Sequence, residues 1–164
     1  MNKILLIITG SIAASKCKEI ITLLNINEVK ISCILTNEAK KYAKILDIKK
    51  LLKNRIFTDE DEKKNKMLHI NLSRGNDIIV VCPATANSIA KFANGYGDNL
   101  ASNTLLASNK KILFVPAMNS FMWHNKINQK NVKLLKDNGH EFIGPKVGNL
   151  KCGEFGLGRI DNSK

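Results

Sequence analysis

The sequence is poor in aromatic residues, in arginine and in long apolar runs, and each shortage excludes a class of protein. Aromatic residues make up 5% of the 164 residues, too few for the stacking surface of a protein that binds single-stranded nucleic acid. Only three of the 26 cationic residues are arginine, the residue that most often reads bases and clamps phosphates. No apolar run approaches the ~18–20 residues of a transmembrane helix, and the apolar N-terminal run is too short for a signal peptide.

Cysteine is also scarce, and no pair has the short spacing of a zinc or dithiol site. Cys33 and Cys82 fall in apolar runs and are interpreted as small buried side chains. Cys17 falls in a predicted helix, whereas Cys152 lies among glycines. Reduced thiols suit a cytoplasmic protein, and we expect no metal site.

The net charge of +12 first suggests a nucleic-acid partner. The cations are mostly lysines spread along the whole chain, which is typical of a solvated surface. We therefore expect neither a nucleic-acid nor a membrane partner. With 44% hydrophobic and 24% charged residues, the composition is that of a globular protein, and the length predicts one domain.

Apolar runs that alternate with helical patterns predict the fold. Together they predict an α/β protein with a doubly wound, Rossmann-like or flavodoxin-like parallel sheet and helices on both faces, in a single domain. The predicted strands are 3–9, 29–35, 77–82, 111–115 and 140–143. The predicted helices are 11–24, 37–47, 48–57, 84–93, 99–107 and 121–138, with a polar connection at 58–66.

Small and polar residues follow four of the predicted strands, at the edge where such sheets bind ligands. The turn Gly10–Ala13 could hold an anion at a helix start, although it lacks the GxGxxG pattern and a plain turn explains it equally well. Thr85, Asn87 and Ser88 are also common helix caps. The segment 148–159 holds four of the ten glycines and is either a flap over a site or a disordered tail.

Six segments taken together resemble the homo-oligomeric flavin-containing cysteine decarboxylases, and among them the phosphopantothenoylcysteine decarboxylases. The pair PAMNxxMW and a later CGExGxGR is highly specific for that family. The matching segments are GSIAASK at 10–16, LHI at 68–70, PATANSIAKFANG at 83–95, DNL at 98–100, PAMNSFMW at 116–123 and CGEFGLGR at 152–159.

The resemblance implies bound FMN and the decarboxylation of 4′-phosphopantothenoylcysteine to 4′-phosphopantetheine, a step of coenzyme A synthesis. In the family, the flavin oxidises the substrate's cysteine, CO2 leaves, and the resulting enethiol is reduced. The resemblance also implies trimers, often assembled into dodecamers, with FMN between neighbouring subunits. Residues 1–164 would form the decarboxylase domain without the phosphopantothenate–cysteine ligase domain. The chain is then either a separate protein, with the ligase on another one, or a domain cut from a bifunctional protein. Because the cofactor and the substrate both carry phosphate, a positively charged surface around the site would help to attract them.

Site residues are carried over by motif. The resemblance implies that His69 is the active-site histidine, Asn119 binds the substrate carboxylate and Cys152 donates a proton. Met122 and Lys151 join Asn119 as expected substrate-binding residues. The expected cofactor-binding residues are Gly10, Ser11, Ile12, Ala13, Thr36, Thr85, Ala86, Asn87, Ser88 and Ala117.

Three other functions share this fold or this flavin. A lantibiotic-type peptidyl-cysteine decarboxylase has the same histidine and asparagine but generally lacks the CGExGxGR segment. A flavin prenyltransferase lacks the combination of both motifs. A non-catalytic, flavin-binding regulatory protein is less consistent with intact His69, Asn119 and Cys152. The sequence departs from the family's usual residues at Ser15, Lys151 and Ile160.

Overall fold

The computed structural model describes residues 3–27, 29–52 and 56–161, within which strands and helices alternate. The strands are β1 Lys3–Ile8, β2 Lys30–Leu35, β3 Ile56–Phe57, β4 Ile78–Ala84, β5 Ile112–Pro116, β6 Glu141–Phe142, β7 Lys146–Asn149 and β8 Phe155–Arg159. The helices are α1 Cys17–Ile26, α2 Ile45–Leu51, α3 Asp59–Lys64, α4 Leu68–Arg74, α5 Ala86–Ala93, α6 Leu100–Leu106, α7 Ser120–His124 and α8 Lys126–Asp137, with 3-10 turns at Ile12–Lys16 and Ala39–Lys41.

Six strands form one parallel sheet in the order β3-β2-β1-β4-β5-β6. The chain begins in the middle of the sheet, winds outward through β2 and β3, and returns to lie on the other side of β1 as β4. This confirms the doubly wound α/β fold. The point at which the winding reverses, between β1 and β4, is where such folds bind ligands.

Both faces of the sheet are buried, because parallel strands are covered by helices on each side. Successive residues of β1 enter opposite layers: Leu5 and Ile7 pack in one apolar cluster, and Leu6 and Ile8 in the other. This burial explains why the strands appear in the sequence as continuous apolar runs. Among the described residues, no helix is both long and apolar enough to cross a membrane.

Several local predictions were wrong. The predicted helix 48–57 is instead the end of α2 and the strand β3, with residues 53–55 outside the described part. The predicted connection 58–66 contains α3, because Thr58 and Asp61 form a reciprocal cap that stabilises a helix start. The predicted helix 121–138 is divided at Asn125, whose side chain accepts from the backbone N–H of Ile127 and begins α8.

The segment after β6 forms a hairpin rather than a disordered tail. Strands β7 and β8 pair antiparallel, with a turn at residues 150–154 between them. Gly158 lies so close to the segment before α7 that a Cβ there would come within 2.1 Å of the Met118 carbonyl oxygen. The Met118 N–H donates to the Gly158 carbonyl at 3.0 Å. The glycine therefore lets the hairpin pack against the residues that precede α7.

Candidate active site

A cavity of about 1080 Å³ opens at the carboxyl ends of the strands, around the reversal point between β1 and β4. Every predicted site residue except His69 lines this cavity. The lining brings together the turn after β1, Thr36 after β2, the start of α5, the segment after β5 and the 150–154 turn of the hairpin. The predicted residues among the lining are Gly10, Ser11, Ile12, Ala13, Thr36, Thr85, Ala86, Asn87, Ser88, Ala117, Asn119, Met122, Lys151 and Cys152.

The turn after β1 is held by short polar contacts. The Ser11 hydroxyl accepts from the Ala13 N–H at 3.2 Å, and the Thr9 hydroxyl donates to the Pro83 carbonyl at 2.6 Å, which joins the ends of β1 and β4. A Cβ at Gly10 would come within 2.4 Å of the Glu38 Cβ. Only glycine fits here, because any larger residue would clash with Glu38 where the turn packs against it.

The second polar segment begins α5. The Thr85 hydroxyl accepts from the Ser88 N–H at 3.2 Å, and the Ser88 hydroxyl donates to the Thr85 carbonyl at 2.9 Å. The first N–H groups of a helix have no intrahelical partner and favour an anion. The small side chains Ala86 and Ala117 lie in the same lining and leave space beside these donors.

Asn119 has a fixed orientation at the start of α7. Its Oδ1 accepts from the backbone N–H groups of Phe121 at 2.8 Å and Met122 at 3.4 Å. Its Nδ2 therefore points to the hairpin, where it donates to the Cys152 Sγ at 3.5 Å and to the Glu154 carboxylate. The structure thus brings two of the three predicted catalytic side chains into contact.

Cys152 differs from the buried cysteines. It is exposed in the hairpin turn, whereas Cys17, Cys33 and Cys82 are buried, and all four are free thiols. A side-chain hydrogen bond with Cys82, together with burial, raises the pKa of the Cys17 thiol, which also donates to the Cys82 carbonyl at 3.3 Å. Burial also raises the pKa of Cys33. Because the reactive thiols of proteins are accessible ones, Cys152 is the cysteine available for chemistry.

His69 lies on α4, outside the cavity lining. Its Nδ1 forms a short hydrogen bond with the Glu62 carboxylate of α3, and its backbone N–H donates to the other Glu62 oxygen at 3.1 Å. Glu62 was missed in the sequence because the TDEDE run was interpreted as a connection. The cap between Thr58 and Asp61 was the signal that could have placed Glu62 on a helix.

Helix α3 also contacts the cavity. Asp59, its first residue, lines the cavity. Its carboxylate accepts from the Leu100 N–H at the start of α6 at 2.9 Å and from the Asn37 side chain at 3.0 Å. Helix α3, whose Glu62 is hydrogen-bonded to His69, is therefore attached to the cavity lining at its N-terminal end.

Charges in the cavity lining nearly balance. The lining holds four cations and three carboxylates: Lys16, Lys91, Lys151, Arg159, Glu38, Asp59 and Asp98. A hydrogen bond from Lys91 lowers the pKa of Asp98. Most of the +12 charge therefore lies elsewhere on the protein. Within the described ranges, no cluster of three His, Cys, Asp or Glu residues could hold a metal ion.

The family model described as Flavoprotein matches residues 1–164. A protein of Streptococcus mutans named "Probable phosphopantothenoylcysteine decarboxylase" is 35% identical over 163 residues, which cover 97% of this chain and 91% of that protein. The coenzyme A biosynthesis bifunctional protein CoaBC of Haemophilus influenzae is 36% identical over 155 residues. That match covers 93% of this chain, and this chain spans only 39% of the CoaBC length.

Solved structures match the fold closely. A Cys-to-Ser variant of PPC decarboxylase, complexed with pantothenoylaminoethenethiol, superposes with a TM-score of 0.92 at 29% identity, over 98% of this chain and 91% of that chain. The FMN-dependent cysteine decarboxylase SpaF superposes with a TM-score of 0.85 at 28% identity, over 96% of this chain and 90% of that chain.

Proposed function

The chain belongs to the Flavoprotein family, and we propose that it is an FMN-dependent phosphopantothenoylcysteine decarboxylase of coenzyme A synthesis. It converts 4′-phosphopantothenoylcysteine to 4′-phosphopantetheine and CO2. The observation that carries the proposal is the contact between Asn119 and Cys152 in the lining of the cavity. This contact places an amide that can donate hydrogen bonds to a carboxylate beside a thiol. The names of the S. mutans and H. influenzae relatives agree with the reaction.

The cavity fits FMN and a substrate together. Its volume slightly exceeds the roughly 300–1,000 Å³ of ordinary ligand pockets. Small side chains at Ala13, Ala86 and Ala117 leave space for a planar ring, and the start of α5 suits a phosphate. When bound, FMN supplies the two-electron chemistry that loss of an unactivated carboxylate requires.

Asn119 binds the substrate carboxylate through neutral N–H donors. Since the carboxylate loses its charge as CO2 departs, an arginine at this place would stabilise the substrate more than the transition state. Cys152, exposed and next to Asn119, is positioned to donate a proton to the enethiol carbon. Met122 and Lys151 also line the cavity and would contact the remainder of the substrate.

The site is completed by a second copy of the chain. His69 lies outside the cavity formed by its own subunit, while large apolar side chains near the cavity are exposed: Phe121 by 80%, Phe155 by 73% and Ile12 by 50%. Exposed apolar surface of this kind marks an interface. In keeping with the family resemblance, we infer a homotrimer, or a dodecamer built from trimers, in which His69 of one subunit faces the cavity of its neighbour.

Glu62 positions the His69 ring. A carboxylate that accepts from Nδ1 fixes the proton on that nitrogen and leaves Nε2 free to act. We expect ¹⁵N NMR of the oligomer to find the neutral ring protonated at Nδ1, and Glu62→Ala to shift the proton toward Nε2. The kcat should fall about tenfold to a hundredfold, the effect of a lost hydrogen bond to a charged group, with little change in KM.

Glu60→Ala is the matched control for Glu62. Glu60 lies on the same helix and pairs with Lys40 on the surface, so its removal should leave both the tautomer and kcat unchanged. A normal tautomer and normal kcat in Glu62→Ala would show that the contact only holds α3 to α4.

The second candidate is a peptidyl-cysteine decarboxylase, because the fold matches the solved peptidyl-cysteine decarboxylase EpiD with a TM-score of 0.84 at 30% identity, nearly as well as it matches PPC decarboxylase. The hairpin that carries CGEFGLGR favours the smaller substrate. Its turn approaches Asn119 and narrows the space that a peptide would need. No contact among the described residues favours a flavin prenyltransferase or a non-catalytic regulator.

A cytoplasmic location is part of the same proposal, since Cys152 must stay a free thiol. A phosphopantothenate–cysteine ligase remains the predicted source of the substrate, and the span of the decarboxylase domain, 1–164, remains a prediction.

The proposal is tested by measuring CO2 release from 4′-phosphopantothenoylcysteine. We expect release by the FMN-loaded protein and none by the flavin-free protein until FMN is restored. A protein that binds no FMN, or an FMN-loaded protein that releases no CO2, would contradict the proposal.

A further inference from the structure

The Glu154 carboxylate is hydrogen-bonded to the Asn119 amide, the group that is proposed to bind the substrate carboxylate. Glu154 Oε2 accepts from the Asn119 Nδ2, and the Cys152 Sγ accepts from the same nitrogen at 3.5 Å. A carboxamide has two N–H donors, so both are occupied by the hairpin. Turning the amide over would break the two bonds in which Oδ1 accepts from α7, and this settles the orientation.

The backbone of the hairpin holds Glu154 in this place. The Leu150 N–H donates to the Glu154 carbonyl at 2.7 Å, and the Gly153 N–H donates to the Leu150 carbonyl at 3.0 Å. Gly153 has a φ of +88°, a conformation that favours glycine. Glu154 follows directly and is half-buried. The position of its carboxylate is thus set by the turn.

Glu154 forms none of the ion pairs found among the described residues. Its carboxylate is partly removed from water and accepts a hydrogen bond from the neutral amide of Asn119. Partial burial of a carboxylate costs free energy unless hydrogen bonds replace the lost water. A second carboxylate brought to Asn119 would therefore compete for the donor and also repel Glu154.

We propose that Glu154 is a specificity residue that takes the place of the substrate carboxylate on Asn119 when the site is empty. This inference rests on the proposed function, in which Asn119 binds that carboxylate. Substrate binding displaces the Glu154 side chain from Asn119. Loss of CO2 then removes the competing carboxylate and frees the donor, so Glu154 returns to Asn119 while the decarboxylated molecule is still bound.

The exchange distinguishes substrate from product. The substrate carries a carboxylate and competes with Glu154, whereas 4′-phosphopantetheine carries none. Replacement of Glu154 should consequently strengthen binding of the substrate and leave binding of the product almost unchanged. A residue that merely closed the hairpin would affect the two molecules alike.

The test uses the FMN-loaded oligomer with Glu154→Gln, which keeps the size of the side chain and removes its charge. We expect the KM for 4′-phosphopantothenoylcysteine to fall about tenfold, as for a lost charge-assisted hydrogen bond, while the inhibition constant of 4′-phosphopantetheine changes less than about twofold. Glu141→Gln, a surface carboxylate paired with Lys111, is the matched control and should change neither. An unchanged KM, or equal changes in both constants, would overturn the proposal.

A second measurement does not depend on turnover. Hydrogen exchange of the peptide 146–159 in the substrate-free oligomer should rise in Glu154→Ala and in Asn119→Ala, and the double variant should exchange no faster than either single one. If the increases in exchange of the two single variants add up in the double variant, the two residues act independently and the proposal is overturned. If the unaltered protein does not decarboxylate the substrate, the proposed function fails and the specificity role fails with it, while non-additive exchange would still identify the contact.

Discussion

Subunits with His69→Ala and subunits with Asn119→Ala should each be inactive alone and should regain activity when they are mixed and reassembled. Loss of His69 removes a proton-transfer group, and loss of Asn119 removes the group that binds the carboxylate. The kcat of each variant should therefore fall by about 10²–10⁴-fold. In mixed oligomers, a minority of the cavities combine an intact Asn119 with an intact His69 from the neighbouring subunit. The measurement is CO2 release before and after unfolding and refolding the mixture with FMN.

The cavity supplies its own control. Asn119 and Cys152 are in contact within one chain, so a mixture of Asn119→Ala and Cys152→Ser subunits should form no more 4′-phosphopantetheine than the unmixed variants, even though Cys152→Ser itself releases CO2 once. Recovery in this control would show that exchange of subunits is not the cause. Absence of recovery with His69→Ala would contradict the inference that neighbouring subunits share the site.

Cys152→Ser should release CO2 and then stop before the final product. A serine hydroxyl is a much weaker acid than a thiol, so protonation of the enethiol should slow by about 10²–10⁴-fold, the usual contribution of a positioned acid. A Cys-to-Ser variant of the similar PPC decarboxylase was solved with pantothenoylaminoethenethiol bound. We expect mass spectrometry to find the corresponding phosphorylated enethiol in this variant, together with bleached flavin absorbance.

Cys33→Ala is the control for this variant, because it removes a buried thiol of the core and leaves the exposed one. It should complete the reaction, although with lower stability. Normal turnover by Cys152→Ser would remove Cys152 from its assigned role. A variant that releases no CO2 would place the thiol in an earlier step.

The sheet and the ligand-binding edge could be predicted from the sequence, because strands buried on both faces appear as continuous apolar runs. The two-residue strand β3 could not be predicted, since its pairing with Cys33 and Ile34 leaves no pattern of its own. The helices α3 and α4 are only six and seven residues long, too short for a clear helical period.

The cavity residues were predicted by motif, but two contacts that shape the site were not. Glu62 and His69 are seven residues apart, and Glu154 and Asn119 are 35 apart. Each pair meets only after the chain has folded: the first through the packing of α3 beside α4, the second through the hairpin. Resemblance identified residue types, whereas their hydrogen-bond partners depend on tertiary structure.

The central claim is tested most directly by mass spectrometry of products after 4′-phosphopantothenoylcysteine and a cysteine-ended peptide are offered separately to the FMN-loaded oligomer. We predict that 4′-phosphopantetheine forms from the first and that the peptide is unchanged. Decarboxylation of the peptide alone would assign the chain to the peptidyl-cysteine decarboxylases, and no product from either would contradict a decarboxylase function for this site.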